Sequence, residues 1–188
     1  MEPLSRVLES YNSPVVLGDF ETEESAKTAL RKSATLNEYF NIYEEVPGWY
    51  FGGSPFGDKS TGRIDFVLSP KRCVINLGWA SGFIGVEVKK TGHKAGPLIC
   101  QMIDYSKAIF ELPSAAGCVR VCLSGTCCFP HINPSGVLAS VMSSHRLGVI
   151  LIDRFSTKIQ INSTNIFSET NGVAKAKVTN CGLKNGSR

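Results

Sequence analysis

Several signatures are missing from this chain, and each absence removes a class of function. The longest wholly apolar stretch toward the C-terminal half, "LGVILI" (147–152), is far short of the roughly 20 residues of a membrane-spanning helix. The opening "MEPLSRVLES" lacks a basic region followed by an apolar one, so no secretory signal is expected. Seven cysteines are an odd number without an evenly spaced framework, which favours a reduced chain over a disulfide scaffold. The expected setting is therefore cytoplasmic or otherwise intracellular, with no membrane partner. Gly52, Gly53 and Gly57 form no phosphate loop, because no GK[ST] opens a helix after them. "GDKSTG" (57–62) only imitates its ending, so no nucleotide cofactor is expected. No serine sits in a GxSxG turn, which leaves triad hydrolase chemistry without support.

What remains is an ordinary folded chain of 188 residues, 43% hydrophobic and 19% charged. That is enough chain to bury most of its apolar surface in one domain without staples. Neither an internal repeat nor an interdomain linker is visible, so residues 1–170 read as a single domain. Residues 171–188 carry Lys175, Lys177, Lys184 and Arg188 and no acid, which accounts for the whole net charge of +4. They read as a basic, flexible tail, suited to a polyanion or merely to solubility.

Acids at the start of "DFETEESAKTALRKSATLNEYF" (19–40) and bases at Lys27, Arg31 and Lys32 predict a helix aligned with its dipole. Ala26, Ala29, Leu30 and Ala34 supply a narrow apolar stripe. "NIYEEV" (41–46) predicts a strand ending before Pro47, and 47–62 a loop with a short strand at "WYF". "RIDFVL" (63–68), "CVINL" (73–77) and "FIGVEV" (83–88) predict successive strands. "PLICQMIDYSKAIF" (97–110) has helical spacing, with Pro97 in the first turn. "CVRVCL" (118–123), "GVILI" (148–152) and "TKIQIN" (157–162) predict later strands. "SGVLASVMSSHR" (135–146) predicts a helix with Leu138, Val141 and Met142 inward. Strands interleaved with helices predict an α/β sandwich around a mixed sheet.

"GFIGVEVKKTG" (82–92) carries the chemistry. In an extended strand Glu87 and Lys89 share one face, while Val86 and Val88 anchor the other. A carboxylate can ligate Mg²⁺, and an adjacent ammonium can orient a water or steady developing phosphate charge. Asp65, within the apolar "RIDFVL", is the second acid. Ile64 and Phe66 share the face opposite it, and an acid there must be exposed at a cleft, paired or metal-bound. On residue types alone, "EVKK" is also an ordinary strand end.

The aspartate of "RID", the "EVK" of 87–89 and "QMIDY" (101–105) together resemble the PD-(D/E)xK, or restriction-endonuclease-like, nucleases. Ile64 stands where that family often has proline. The resemblance implies a three-layer sandwich with a central mixed β-sheet, and Mg²⁺-dependent hydrolysis of DNA phosphodiester bonds, with Mn²⁺ able to substitute. Under it Asp65 and Glu87 bind metal, Lys89 is the catalytic lysine, and Gln101 and Tyr105 form the nearby helix pair. The Val88 carbonyl and a glutamate of the first helix join the metal set. Glu24 is the chosen glutamate, Glu23 and Glu38 are its rivals, and Glu44-Glu45 is a further source. Lys90, His93 and Lys94 would contact phosphates without reading bases. A homodimer is the simplest arrangement for cutting both strands.

Two rival functions stay open: a catalytically inactive nucleic-acid-binding module of the same fold, and a protein-interaction domain. The cluster Cys118, Cys122, Cys127, Cys128 and His131 lacks paired zinc-site spacing, and Cys118 and Cys122, in a predicted strand, read as packing thiols. Trp49, Tyr50, Phe51 and Phe56 read equally as base-stacking platforms or as cover over the core.

Overall fold

The computed structural model describes residues 20–51, 59–79, 82–90, 95–113, 118–119, 121–126, 140–141, 144–152, 156–161 and 164–176. Two helices, α1 (Glu23–Lys32) and α2 (Ala34–Tyr39), lead into the long strands β1 (Phe40–Phe51) and β2 (Lys59–Pro70). A short helix α3 (Arg72–Asn76), strand β3 (Phe83–Glu87) and helix α4 (Ala95–Lys107) follow. The later strands are β4 (Ile109–Glu111), β5 (Cys118–Val119), β6 (Val121–Thr126), β7 (Leu147–Ile152), β8 (Ser156–Ile161), β9 (Thr164–Thr170) and β10 (Val173–Ala176).

All of these strands join one sheet in the order β10-β9-β8-β7-β6-β3-β2-β1-β4-β5. β3, β6 and β7 run parallel to their neighbours within that group. On either side the pairing is antiparallel, from β3 through β2 and β1 to β4 and β5, and from β7 through β8 and β9 to β10. The result is a mixed α/β fold, as the alternation of strands and helices predicts. No helix among the described residues is long and apolar enough to cross a membrane.

Local chemistry explains the elements and the departures from expectation. The predicted helix over 19–40 is two helices. Thr22 caps the first by accepting a hydrogen bond from the Ser25 amide at 3.1 Å. Ser33 breaks the run and caps the second, its Oγ accepting from the Leu36 amide at 3.3 Å, as short hydroxyl side chains do at N-termini. Strand β1 passes through Pro47 and on to Phe51 instead of stopping. β4 pairs with β1 only at Gly48 and Trp49, so Pro47 needs no N–H for that edge. "CVINL" is not a strand: Arg72–Asn76 is a helical turn that buries Val74 and exposes Cys73 and Ile75. A five-residue apolar run cannot separate the two states by periodicity.

The expected tail also begins too early. β9 and β10 form a hairpin in which Val173 pairs with Thr170, leaving Asn171 (φ 52°) and Gly172 (φ 79°) as a two-residue turn. Two positive φ angles at Asn-Gly match the tight turn favoured by twisted hairpins, so residues 171–176 belong to the sheet. Residues 177–188 lie outside the described residues, as do Leu138 and Met142 of the predicted helix over 135–146, whose Val141 is half-buried.

Among the described residues the core divides into three clusters. In the largest, Ala26, Leu30 and Leu36 of α1 and α2 meet Phe40, Phe66, Leu68, Ile84, Val86, Val88, Ile150 and Phe167. A second joins Val46, Ile64 and Val67 to Tyr105 and Phe110. A third packs Leu98, Ile99 and Met102 of α4 against Leu147. Ile64 and Phe66 therefore sit in different clusters and do not share a face as strict alternation predicts. The level between them is irregular: Glu44 pairs with Phe66 and Val46 with Ile64, while the intervening Glu45 has φ 50°. A left-handed residue inside a strand interrupts the pleat that alternation assumes.

Gly148 shows how closely β7 and β8 are packed. A Cβ there would lie 2.6 Å from the Gln160 carbonyl oxygen, a backbone atom that cannot rotate away. We expect Gly148→Ala to cost on the order of 1–3 kcal/mol through overpacking, read as a lower urea midpoint at unchanged slope.

Candidate active site

The sheet brings the two expected acids together. β2 and β3 pair Leu68 with Ile84, Val67 with Gly85 and Phe66 with Val86. One further step in that antiparallel register sets Asp65 level with Glu87. The Val88 amide then donates to Asp65 Oδ2 at 2.7 Å, tying the end of one strand to the other just beyond their ladder.

Alternation along β3 does the rest. Val86 and Val88 are fully buried in the core beneath α1 and α2. Glu87 turns instead toward α4, where Gln101 Nε2 donates to its Oε1 at 2.9 Å. Lys89 Nζ reaches the same oxygen at 2.6 Å. Gln101 Nε2 also donates to the Tyr105 hydroxyl at 2.8 Å, and that hydroxyl donates to the Arg63 carbonyl at 2.8 Å. Because Gln101 and Tyr105 lie four apart on α4, they occupy one helix face. The chain of bonds from Arg63 through Tyr105 and Gln101 anchors Glu87 to the main chain of β2.

Glu87 is only 3% exposed, and its second oxygen, Oε2, has no hydrogen-bond partner among the described residues. Burial is the main reason that its pKa is raised. Lys89 works against the shift and the neighbouring Asp65 charge adds to it. Lys89 is raised as well: burial disfavours its charge, but the hydrogen bond and attraction to Glu87 outweigh that cost. The pair is therefore a carboxylate reluctant to ionise beside an ammonium reluctant to lose its proton.

A second network surrounds Asp65. Lys27 of α1 places Nζ 2.5 Å from Asp65 Oδ1 and 2.8 Å from Glu45 Oε1, and Arg63 Nε lies 2.7 Å from Glu45 Oε2. Burial would lower the Lys27 pKa, but hydrogen bonds to Asp65 and Glu45 raise it overall. Glu45 is held below the ordinary glutamate range, chiefly by its hydrogen bond to Lys27 and against some desolvation. Sequence reasoning assigned Lys27 only to helix charge. The signal it missed is phase: Ala26 and Leu30 face inward, so Glu23 and Lys27, four apart, flank that stripe together.

The same phase corrects the choice of glutamate. Glu24 has a side chain that is 74% exposed and lies 3.6 Å from Arg31. Its rival Glu23 brings Oε1 to 3.9 Å from Lys89 Nζ. The network thus gathers Asp65, Glu87, Val88, Lys89, Gln101 and Tyr105 and excludes Glu24. Lys90 is exposed beside it. His93 and Lys94 lie outside the described residues, as do Cys127, Cys128 and His131 of the cysteine cluster.

The donor set can be weighed for a divalent cation. Among the described residues no group of three or more His, Cys, Asp or Glu side chains converges for a metal. Asp65 and Glu87 are nevertheless hard oxygen donors of the kind Mg²⁺ accepts, an ion that keeps much of its water and needs few protein ligands. The partnerless, buried Glu87 Oε2 is an atom that a cation would satisfy. The residues present fit such an ion with two carboxylates rather than three. Comparisons with protein-family models, curated proteins and solved structures gave no match, so geometry alone carries the functional reading.

The two glutamates should leave opposite marks on stability. A raised folded-state pKa at Glu87 contributes stability that is complete below the ordinary glutamate value and is lost as pH rises through the raised one. A lowered pKa at Glu45 contributes stability above the ordinary value that is lost as pH falls. In urea midpoints measured across the acid-to-neutral range, Glu87→Gln should remove the loss on raising pH. Glu45→Gln should remove part of the loss on lowering it.

Proposed function

We propose that this chain is a metal-dependent DNA endonuclease that hydrolyses phosphodiester bonds, built on a three-layer, restriction-endonuclease-like core. The observation that carries the reading is Glu87, a deeply buried carboxylate with one oxygen fixed by Lys89 and Gln101 and the other left without a partner, level with Asp65. Burying a carboxylate this way costs stability, a cost that a functional site explains and a structural strand end does not.

Asp65, Glu87 and the Val88 carbonyl would hold Mg²⁺, or Mn²⁺ in its place. When bound, the ion supplies Lewis-acid stabilisation for negative charge developing on phosphate oxygens. Lys89 orients the attacking water and contributes fixed positive charge. Against burial, its hydrogen bond to Glu87 raises its pKa, which favours the charged ammonium for this electrostatic part. Gln101, held by Tyr105, keeps the Glu87 carboxylate from rotating. Glu23 takes the place proposed for a helix glutamate, acting on Lys89. Lys90, His93 and Lys94 would hold the DNA backbone, and a homodimer would present one site to each strand.

One observation favours a second reading, an inactive nucleic-acid-binding module of this fold. Lys27 and Lys89 already neutralise Asp65 and Glu87, as a retained structural network would.

Cleavage separates the two. Plasmid and oligonucleotides incubated with Mg²⁺ or Mn²⁺ should be cut by the wild-type chain, and Asp65→Ala, Glu87→Ala and Lys89→Ala should each lose about 100-fold or more in rate. Intact DNA with folded wild-type protein, across substrate shapes and ionic strengths, overturns the nuclease reading. DNA retention without cleavage would establish the inactive module.

A further inference from the structure

The cation network at Asp65 has a consequence beyond holding α1 to the sheet. Both Asp65 oxygens are engaged: Oδ2 by the Val88 amide at 2.7 Å and Oδ1 by Lys27 Nζ at 2.5 Å. The amide is part of the main chain and stays. A cation binding through Oδ1 must share that oxygen with Lys27 or displace it, and one binding through the remaining lone pair of Oδ2 still meets the Lys27 charge at the same carboxylate.

We propose that Lys27 is a built-in competitor for the divalent ion, occupying Asp65 when no metal is bound and moving wholly onto Glu45 when one is. This positioning role rests on the metal-site reading above and adds a regulator to it. Glu45 is the receiving partner. Its Oε1 is already 2.8 Å from Lys27 Nζ, so transfer breaks one ion pair and retains the other. The pairs Glu44–Phe66 and Val46–Ile64 bracket Glu45 and Asp65, and Lys27 Nζ touches both carboxylates, which would repel without a cation between them. Lys27 supplies that cation, and a divalent ion at Asp65 would relieve the same repulsion.

The helix that carries Lys27 is anchored by Ala26 and Leu30, both fully buried, so the move is confined to the side chain. The Lys27 side chain is 17% exposed, and both of its carboxylate partners lie within reach of the one flexible stem. Metal affinity is then set by the difference between Lys27 on Asp65 and Lys27 on Glu45 alone, a coupling of the kind that typically amounts to about 5- to 150-fold.

The test is Mn²⁺ binding to the full chain, followed by the paramagnetic signal of the free ion, with thermal unfolding at rising Mn²⁺ as a second readout. Lys27→Met should bind Mn²⁺ at least about fivefold more tightly than wild type and show the larger thermal shift. Glu45→Gln, which leaves Lys27 committed to Asp65, should bind more weakly. Lys32→Met removes an exposed charge from the same helix and should stay within about twofold of wild type. Wild-type affinity in Lys27→Met, or tighter binding in Glu45→Gln, overturns the competitor role while leaving the metal site standing. An equal gain in Lys32→Met assigns the effect to general electrostatics and also overturns it. If no folded variant binds Mn²⁺, the metal-site reading fails together with this one. Should Lys27→Met not fold, the Glu45→Gln comparison decides the matter by itself.

Discussion

A single hydrogen bond, from the Val88 amide to the Asp65 carboxylate, sets the geometry on which the rest of the site depends. It closes β2 against β3 one step past their last paired residues, where the ladder no longer holds the strands together. Without it the two acids would be neighbours in register but free to splay. With it, Asp65 is aimed along the strand ends, Glu87 is left turned toward α4, and Lys89 emerges beside both.

Around that bond the molecule concentrates like charge and then offsets it. Asp65, Glu45 and Glu87 come from three adjacent strands, and Lys27 and Lys89 reach them from a helix and from the chain just beyond β3. The offset is unequal. Glu45 is satisfied by two cations and its carboxylate is stabilised, whereas Glu87 is buried, half satisfied and held with a raised pKa. An optimised structural network would distribute partners evenly, because each unmet buried acceptor weakens the fold. The imbalance at Glu87 is what makes a functional role the more economical account.

The anchoring of Glu87 shows how a sheet and a helix cooperate. Gln101 alone could turn its amide either way. Tyr105 removes that freedom, since its own hydroxyl proton goes to the Arg63 carbonyl and its oxygen must accept from Gln101. The orientation of one side chain thus follows from a main-chain acceptor on β2, two bonds away. Rigid support of this kind is what positions a reacting group within a fraction of an ångström.

Much of this was legible in the residues themselves. Period-two alternation at Val86-Glu87-Val88-Lys89 determined which side chains anchor and which project, because that pattern depends only on local backbone geometry. The i,i+4 spacing of Gln101 and Tyr105, and the mixed α/β character, were readable for the same reason. The Asn171-Gly172 turn was equally local, though charge counting obscured it. Other features were decided only by tertiary structure. The left-handed Glu45, the split between Ile64 and Phe66, the choice of Glu23 over Glu24 and the arrival of Lys27 at Asp65 all depend on contacts between elements distant in sequence. Sequence periodicity carries the faces of a strand or helix, but not the rotation of one element against another, and it is that rotation that chose the partners of each charge.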